Sequence, residues 1–173
     1  MDKVEFKSLL FKVAFCTMAC DGHIDQREID EMKVMNTNTS FFNGVDLSGE
    51  LSELIKELGL KGVKLIEELF STLRENKLNP IQELLILEVA IRIINSDNKH
   101  DDNELRFIHL LRGKLDLHDE TIRDRFGDVS LLSINEYTQN IVINDSDSRF
   151  AESVTLPEFA DLKDVLLALG EAD

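Results

Sequence analysis

The chain has 173 residues, enough for one domain with a sizeable core and a small appendage. Hydrophobic residues make up 43%, the globular norm, which argues against a disordered chain, and a formal net charge of −15 argues against a general binder of phosphate backbones. No apolar run reaches the length of about 18 residues that a membrane span needs, and Asp2 and Glu5 break any signal-peptide pattern, so a soluble, cytoplasmic protein is expected. With only two prolines and eight glycines among many Leu, Ile, Glu and Lys, helices are favoured over strands.

Residues 3–20 carry Phe6, Leu9, Leu10, Val13, Phe15, Thr17 and Cys20 at helical spacing. Phe11 and Met18 widen the stripe until it nearly encircles the helix, which predicts a central element packed by others. A shorter amphipathic helix follows over 25–35, with Ile29, Met32 and Met35 inward. The polar stretch 36–49 reads as a loop. Helices are expected over 50–58 and 62–75, with Gly59 and Gly62 marking a break between them. Asn79-Pro80 ends one segment and opens the next, since proline suits a first helical turn. Residues 80–96 form a second helix apolar on nearly every side, and 102–115 another amphipathic one with Leu105, Ile108, Leu111 and Leu115. Short helices are expected near 118–126 and 131–138. In the tail, 140–144 looks strand-like, 145–148 a turn, and 150–156 a strand able to pair back as a hairpin. A last helix is expected over 158–169, capped by Gly170.

Shifting the chain by 76 residues places Val13-Ala14 on Val89-Ala90, Asp21 on Asp97, Asp25 on Asp101 and Glu28 on Glu104. Each half thus reads as a long apolar helix, an acidic turn and an amphipathic helix. Neither half has the surface to bury its own long helix, so one joint core about a pseudo-twofold axis is expected. The fold class is all-α: a multihelical bundle of two repeats, about 3–75 and 80–132, within a domain over 1–138, with a C-terminal extension over 139–173.

The acidic turns have a plain explanation and a chemical one. Asp25 and Asp101 stand where helices begin, each with a glutamate three positions on, which is close to a capping box. Such a cap contributes about 1 kcal/mol, and the charge also offsets the helix dipole. Capping leaves Asp21 and Asp97 over, because both fall at helix C-termini, where negative charge is unfavourable. Three carboxylates bent around each turn offer hard oxygen ligands to a divalent cation, Ca²⁺ or Mg²⁺. The candidate ligands are Asp21, Asp25 and Glu28, and Asp97, Asp101 and Glu104, with Asp102 nearby. The spacing is not that of an EF-hand. His23 and His100 lie inside the turns at non-equivalent positions, and His109 and His118 on later helices, so a shared transition-metal site is a weaker reading. Cys16 and Cys20 lack a second pair for zinc and do not form a redox motif; they read as small buried hydrophobes.

The run Ala-Cys-Asp-Gly-His-Ile-Asp-Gln-Arg-Glu at 19–28 resembles the signature turn of the TerB-like tellurite-resistance family. The run Asn-Ser-Asp-Asn-Lys-His-Asp-Asp-Asn-Glu at 95–104 resembles its duplicate, and 107–117 the helix that follows. The resemblance covers about residues 3–132 and departs at Asn98, where the family often has glycine. It implies a bundle of two repeats, an association with tellurite resistance and stress responses, and divalent-cation sites at the six acids named above. No nucleophile with a base, phosphate loop or His-ligand cluster marks an enzyme. A non-enzymatic cation-binding module with protein partners is therefore the leading expectation, with self-association open. The alternative is a purely structural interaction domain whose acids are caps.

Overall fold

The computed structural model describes residues 1–39, 41–42, 45–96, 101–142, 145–158 and 162–167, with the side chains of Tyr137 and Val142 excepted. It is all-helical among these residues. The elements are α1 (Lys3–Ala19), α2 (Gln26–Asn38), α3 (Leu47–Lys61), α4 (Lys64–Glu75), α5 (Pro80–Asn95), α6 (Asp102–Gly113), α7 (Asp119–Phe126), α8 (Glu136–Val142) and α9 (Asp147–Ser153). A short 3-10 turn, Ser130–Leu132, precedes α8, and residues 162–167 are again helical.

The two helices with apolar residues on nearly every side form the centre. α1 buries Phe6, Leu9 to Phe11 and an unbroken run from Val13 to Ala19. It packs along α5, which buries Ile86, Leu87, Val89, Ala90, Ile91, Ile93 and Ile94. Both are started by reciprocal caps: Asp2 with Glu5 in α1, and Asn79 with Gln82 in α5, where Pro80 occupies the first turn. α3, α4 and α6 are amphipathic and lay single apolar faces on this centre, Leu65, Ile66, Leu69, Phe70 and Leu73 in the case of α4. Gly62, at φ +58°, makes the break between α3 and α4, as expected; Gly59 lies inside α3 and breaks nothing.

Two stretches differ from their sequence reading. The polar segment 36–49 is shorter as a loop, because α2 runs on to Asn38 and α3 starts at Leu47. Its Phe42 is fully buried, with its ring 4.5 Å from that of Phe11, so a hydrophilic-looking loop supplies a core residue. The hairpin expected in the tail is replaced by helices. Asn140 to Val142 belong to α8 and Phe150 to Ser153 to α9; Ile143 and Asn144 lie outside the described residues. Local capping wins over β-propensity here. Asn135 and Thr138 exchange backbone-to-side-chain hydrogen bonds at the start of α8, and the Ser146 hydroxyl accepts from the Arg149 N–H at the start of α9. The final helix is seen over 162–167, and its expected Gly170 cap lies outside the described residues.

The tail packs on α4 and α6. Phe150 is fully buried between Phe70 and Phe107, ring centroids 6.4 and 6.2 Å away. Asp145, 2% exposed, accepts two hydrogen bonds from the Arg106 guanidinium at 2.9 and 2.8 Å. Asp147 pairs with Arg74 and, at 2.7 Å, with Lys114.

Candidate metal centre at the acidic turns

α1 ends at the first acidic turn. Cys20 is its last near-helical residue, and Gly22 turns the chain at φ +94°, its N–H donating to the Ala19 carbonyl at 3.2 Å. A side chain at 22 is excluded twice, by that φ and by the Thr155 carbonyl, which would lie 2.9 Å from a Cβ. Asp25 then caps α2. It accepts from the Arg27 N–H at 2.8 Å, while Glu28 reaches back to accept from the Asp25 N–H at 2.9 Å. The predicted capping box is therefore present, and Glu28, 2% exposed, is buried with that bond made. Asp101 caps α6 by accepting from the Glu104 N–H at 2.7 Å.

Asp21 behaves differently. Its Oδ1 accepts from the His23 N–H at 3.2 Å, and its side chain is 6% exposed despite lying at a helix C-terminus. The expectation that each turn gathers its own three acids does not hold for the first turn. Carboxylate oxygens of Asp21, Asp101 and Glu104 lie within 4.8 Å of one another, so Asp21 crosses to the start of α6 instead of joining Asp25 and Glu28. The physical reason is that α1 and α6 meet end to side. The Asn103 amide donates to the Cys20 carbonyl at 3.2 Å and so ties the last residue of α1 to the first turn of α6. Asp97 and His100 lie outside the described residues. Among the described residues this is the one group of three or more potential ligands.

The donor chemistry fits a hard cation. Ligand oxygens on one Ca²⁺ are at most about 5 Å apart, twice its bond length, and those on one Mg²⁺ about 4.2 Å. A spread within 4.8 Å is compatible with either ion. Glu104 is 3% exposed and Asp101 exposed, so the group runs from the interior to the surface and leaves room for water ligands. Cys20 lies at the inner end. Burial pushes its thiol well above the ordinary value, and the carboxylates of Asp21, Glu104, Asp101 and Glu28 add to the effect. The thiol donates to the Thr17 carbonyl at 3.1 Å, and the residue is fully buried, as the sequence suggested.

The histidines do not join this group. His23 is largely exposed and 3.8 Å from Asp21, and His118 is exposed at the start of α7. His109 lines a separate concavity of about 770 Å³ between α6, α7 and residues 127–134. The guanidiniums there are engaged, Arg112 with the Leu117 carbonyl and Asp119, and Arg123 with Asp128 at 3.8 Å.

Three residues that sequence reasoning did not single out shape the surroundings of the acids: Asn103 bonds the Cys20 carbonyl, Arg106 bonds Asn103, and Thr155 lies against Gly22. Nothing in their local pattern marks them, since each acts across the fold. Comparison with protein-family models, with curated proteins and with solved structures gave no match. No helix among the described residues is long and apolar enough to cross a membrane.

Proposed function

We propose that this chain is a non-enzymatic, TerB-like module that holds a divalent cation, Ca²⁺ or Mg²⁺, between its two acidic turns and acts through protein partners in a stress response. The observation that carries the reading is the position of Asp21. Helix capping accounts for Asp25, Glu28 and Asp101. It gives no reason to bring a third carboxylate from a helix C-terminus to within 4.8 Å of two others. Such a gathering of like charge is unfavourable without a counter-ion and favourable with one. The likeness of residues 19–28 and 95–104 to the TerB signature supports the same assignment, with Asp97 as the matching acid of the second turn.

Calorimetric titration with Ca²⁺ and Mg²⁺ tests it. The intact protein should bind with measurable heat and melt at higher temperature, and Asp21→Asn should lose both effects. An intact protein that gives no heat and no melting shift removes the cation from the proposal. The second reading, an interaction domain in which the acids are caps, is favoured by the complete capping box at Asp25. On that reading Asp25→Ala and Asp101→Ala each cost about 1 kcal/mol and divalent ions change nothing.

A further inference from the structure

We propose that residues 145–157 form a strap whose docking on α4 and α6 is coupled to the first acidic turn, so that the strap and the turn loosen or tighten together. Two independent contacts join them. At one end the Thr155 carbonyl would lie 2.9 Å from a Cβ at residue 22, so the strap passes close against the turn that carries Asp21. At the other, Arg106 holds Asp145 with Nε and Nη2, and its Nη1 donates to the Ser153 hydroxyl at 2.8 Å and to the Asn103 side-chain carbonyl at 3.2 Å. The Asn103 amide then donates to the Cys20 carbonyl, next to Asp21, and Glu104 follows Asn103 in the chain. A continuous line of hydrogen bonds therefore runs from strap to acid cluster: Asp145, Arg106, Asn103, Cys20. Networks of this kind transmit a change only if the elements they join have a second arrangement available.

The strap has the makings of one. It is held by a short helix, two ion-paired aspartates and a small apolar patch of Phe150, Ala151 and Val154, far less than the long apolar faces that seat α1 and α5. The three cations it neutralises, Arg74, Arg106 and Lys114, stand together in a chain of net charge −15. Lifting it bares them beside Phe70 and Phe107. The coupling to cation occupancy rests on the function proposed above; the coupling between strap and turn does not.

Amide hydrogen exchange on the full chain separates the two. In chelator, Gly22→Ala should speed exchange across 147–155 at least tenfold while α5 keeps its protection. Arg106→Gln should speed exchange in α9 and, at a distance, at the His23 and Glu104 amides. Asn103→Ala should carry the same long-range effect with the Arg106–Asp145 pair left intact, and it decides the matter if Gly22→Ala fails to fold. Effects confined within twofold of wild type beyond the mutated element overturn the proposal. Adding Ca²⁺ to the wild type should slow exchange over 147–155. Heat of Ca²⁺ binding with no slowing overturns the coupling to the site. No heat at all overturns the cation reading and leaves the strap to be judged by the three variants in chelator.

Discussion

The grouping of Asp21 with Asp101 across the fold makes a quantitative prediction. Asp21→Asn keeps an Oδ1 acceptor for the His23 N–H, and Asp101→Asn keeps the cap of α6, because asparagine caps as well as aspartate. The pair of substitutions therefore removes charge and little else. Two unit charges about 5 Å apart repel by roughly 3 kcal/mol at an effective dielectric of 20. Water at the exposed Asp101 screens much of this, so a coupling of about 1–2 kcal/mol is expected. Urea unfolding in chelator at low ionic strength measures it. Each single variant should be more stable than the wild type, and the double variant should gain less than the sum, because the same repulsion is relieved only once. Excess Ca²⁺ should reverse the order, since it stabilises only the chain that keeps its ligands. Salt at about 1 M should shrink the coupling in chelator. Additivity within about 0.5 kcal/mol for Asp21 and Asp101, or a larger coupling between Asp21 and Asp25, would refute the cross-turn grouping.

Other parts of the molecule yield further tests. Arg106→Ala leaves Asp145 buried without its partner and should cost about 3 kcal/mol by denaturant unfolding, far more than loss of a surface pair. Burial lowers the pKa of His109 below its ordinary 6.5, against an opposing backbone hydrogen bond at Leu131. The native state then binds fewer protons than the unfolded chain, so this contribution is complete above about pH 6.5 and is lost as pH falls toward the lowered value. His109→Gln should flatten that part of the stability–pH curve, and an unchanged slope would assign it elsewhere. Burial pushes the Cys16 thiol up to about 12 and that of Cys20 well above its ordinary value. Neither should react with a thiol reagent in the native protein at neutral pH, both should react in denaturant, and rapid native labelling would show that α1 opens.

The bundle was legible wherever burial imposes a period. α1 and α5 are apolar on nearly every side and can only be central, and α4 repeats its apolar positions at helical spacing. The tail was not, because Ile141 and Val142 carry β-branched side chains in a run that also suits a strand. What decides α8 is the reciprocal capping of Asn135 and Thr138, a signal readable in sequence but easily outweighed by propensity. Asp25 and Asp101 were legible as helix caps. The grouping of Asp21 with Asp101 and Glu104 was not. Spacing along the chain fixes which carboxylates share a turn, but contact between α1 and the start of α6 depends on how two helices cross, and that is set by the packing of α1 on α5 and of α5 on α6.

That difference changes what a cation at this place would do. Had Asp21, Asp25 and Glu28 met in one turn, an ion would brace eight consecutive residues and leave the rest of the fold indifferent. Asp21, Asp101 and Glu104 meet only when the two halves of the chain have packed, so the unfolded chain has no preformed site and binding free energy adds to folding free energy. At a hundredfold excess over Kd that is about 2.7 kcal/mol, a sizeable share of a domain's stability. The same contact carries the Asn103 bridge to Arg106, and Arg106 holds the strap. An ion that tightens α1 against α6 would thus act on a joint that also helps to seat residues 145–157, and Asp21 is the acid that brings the end of α1 to it.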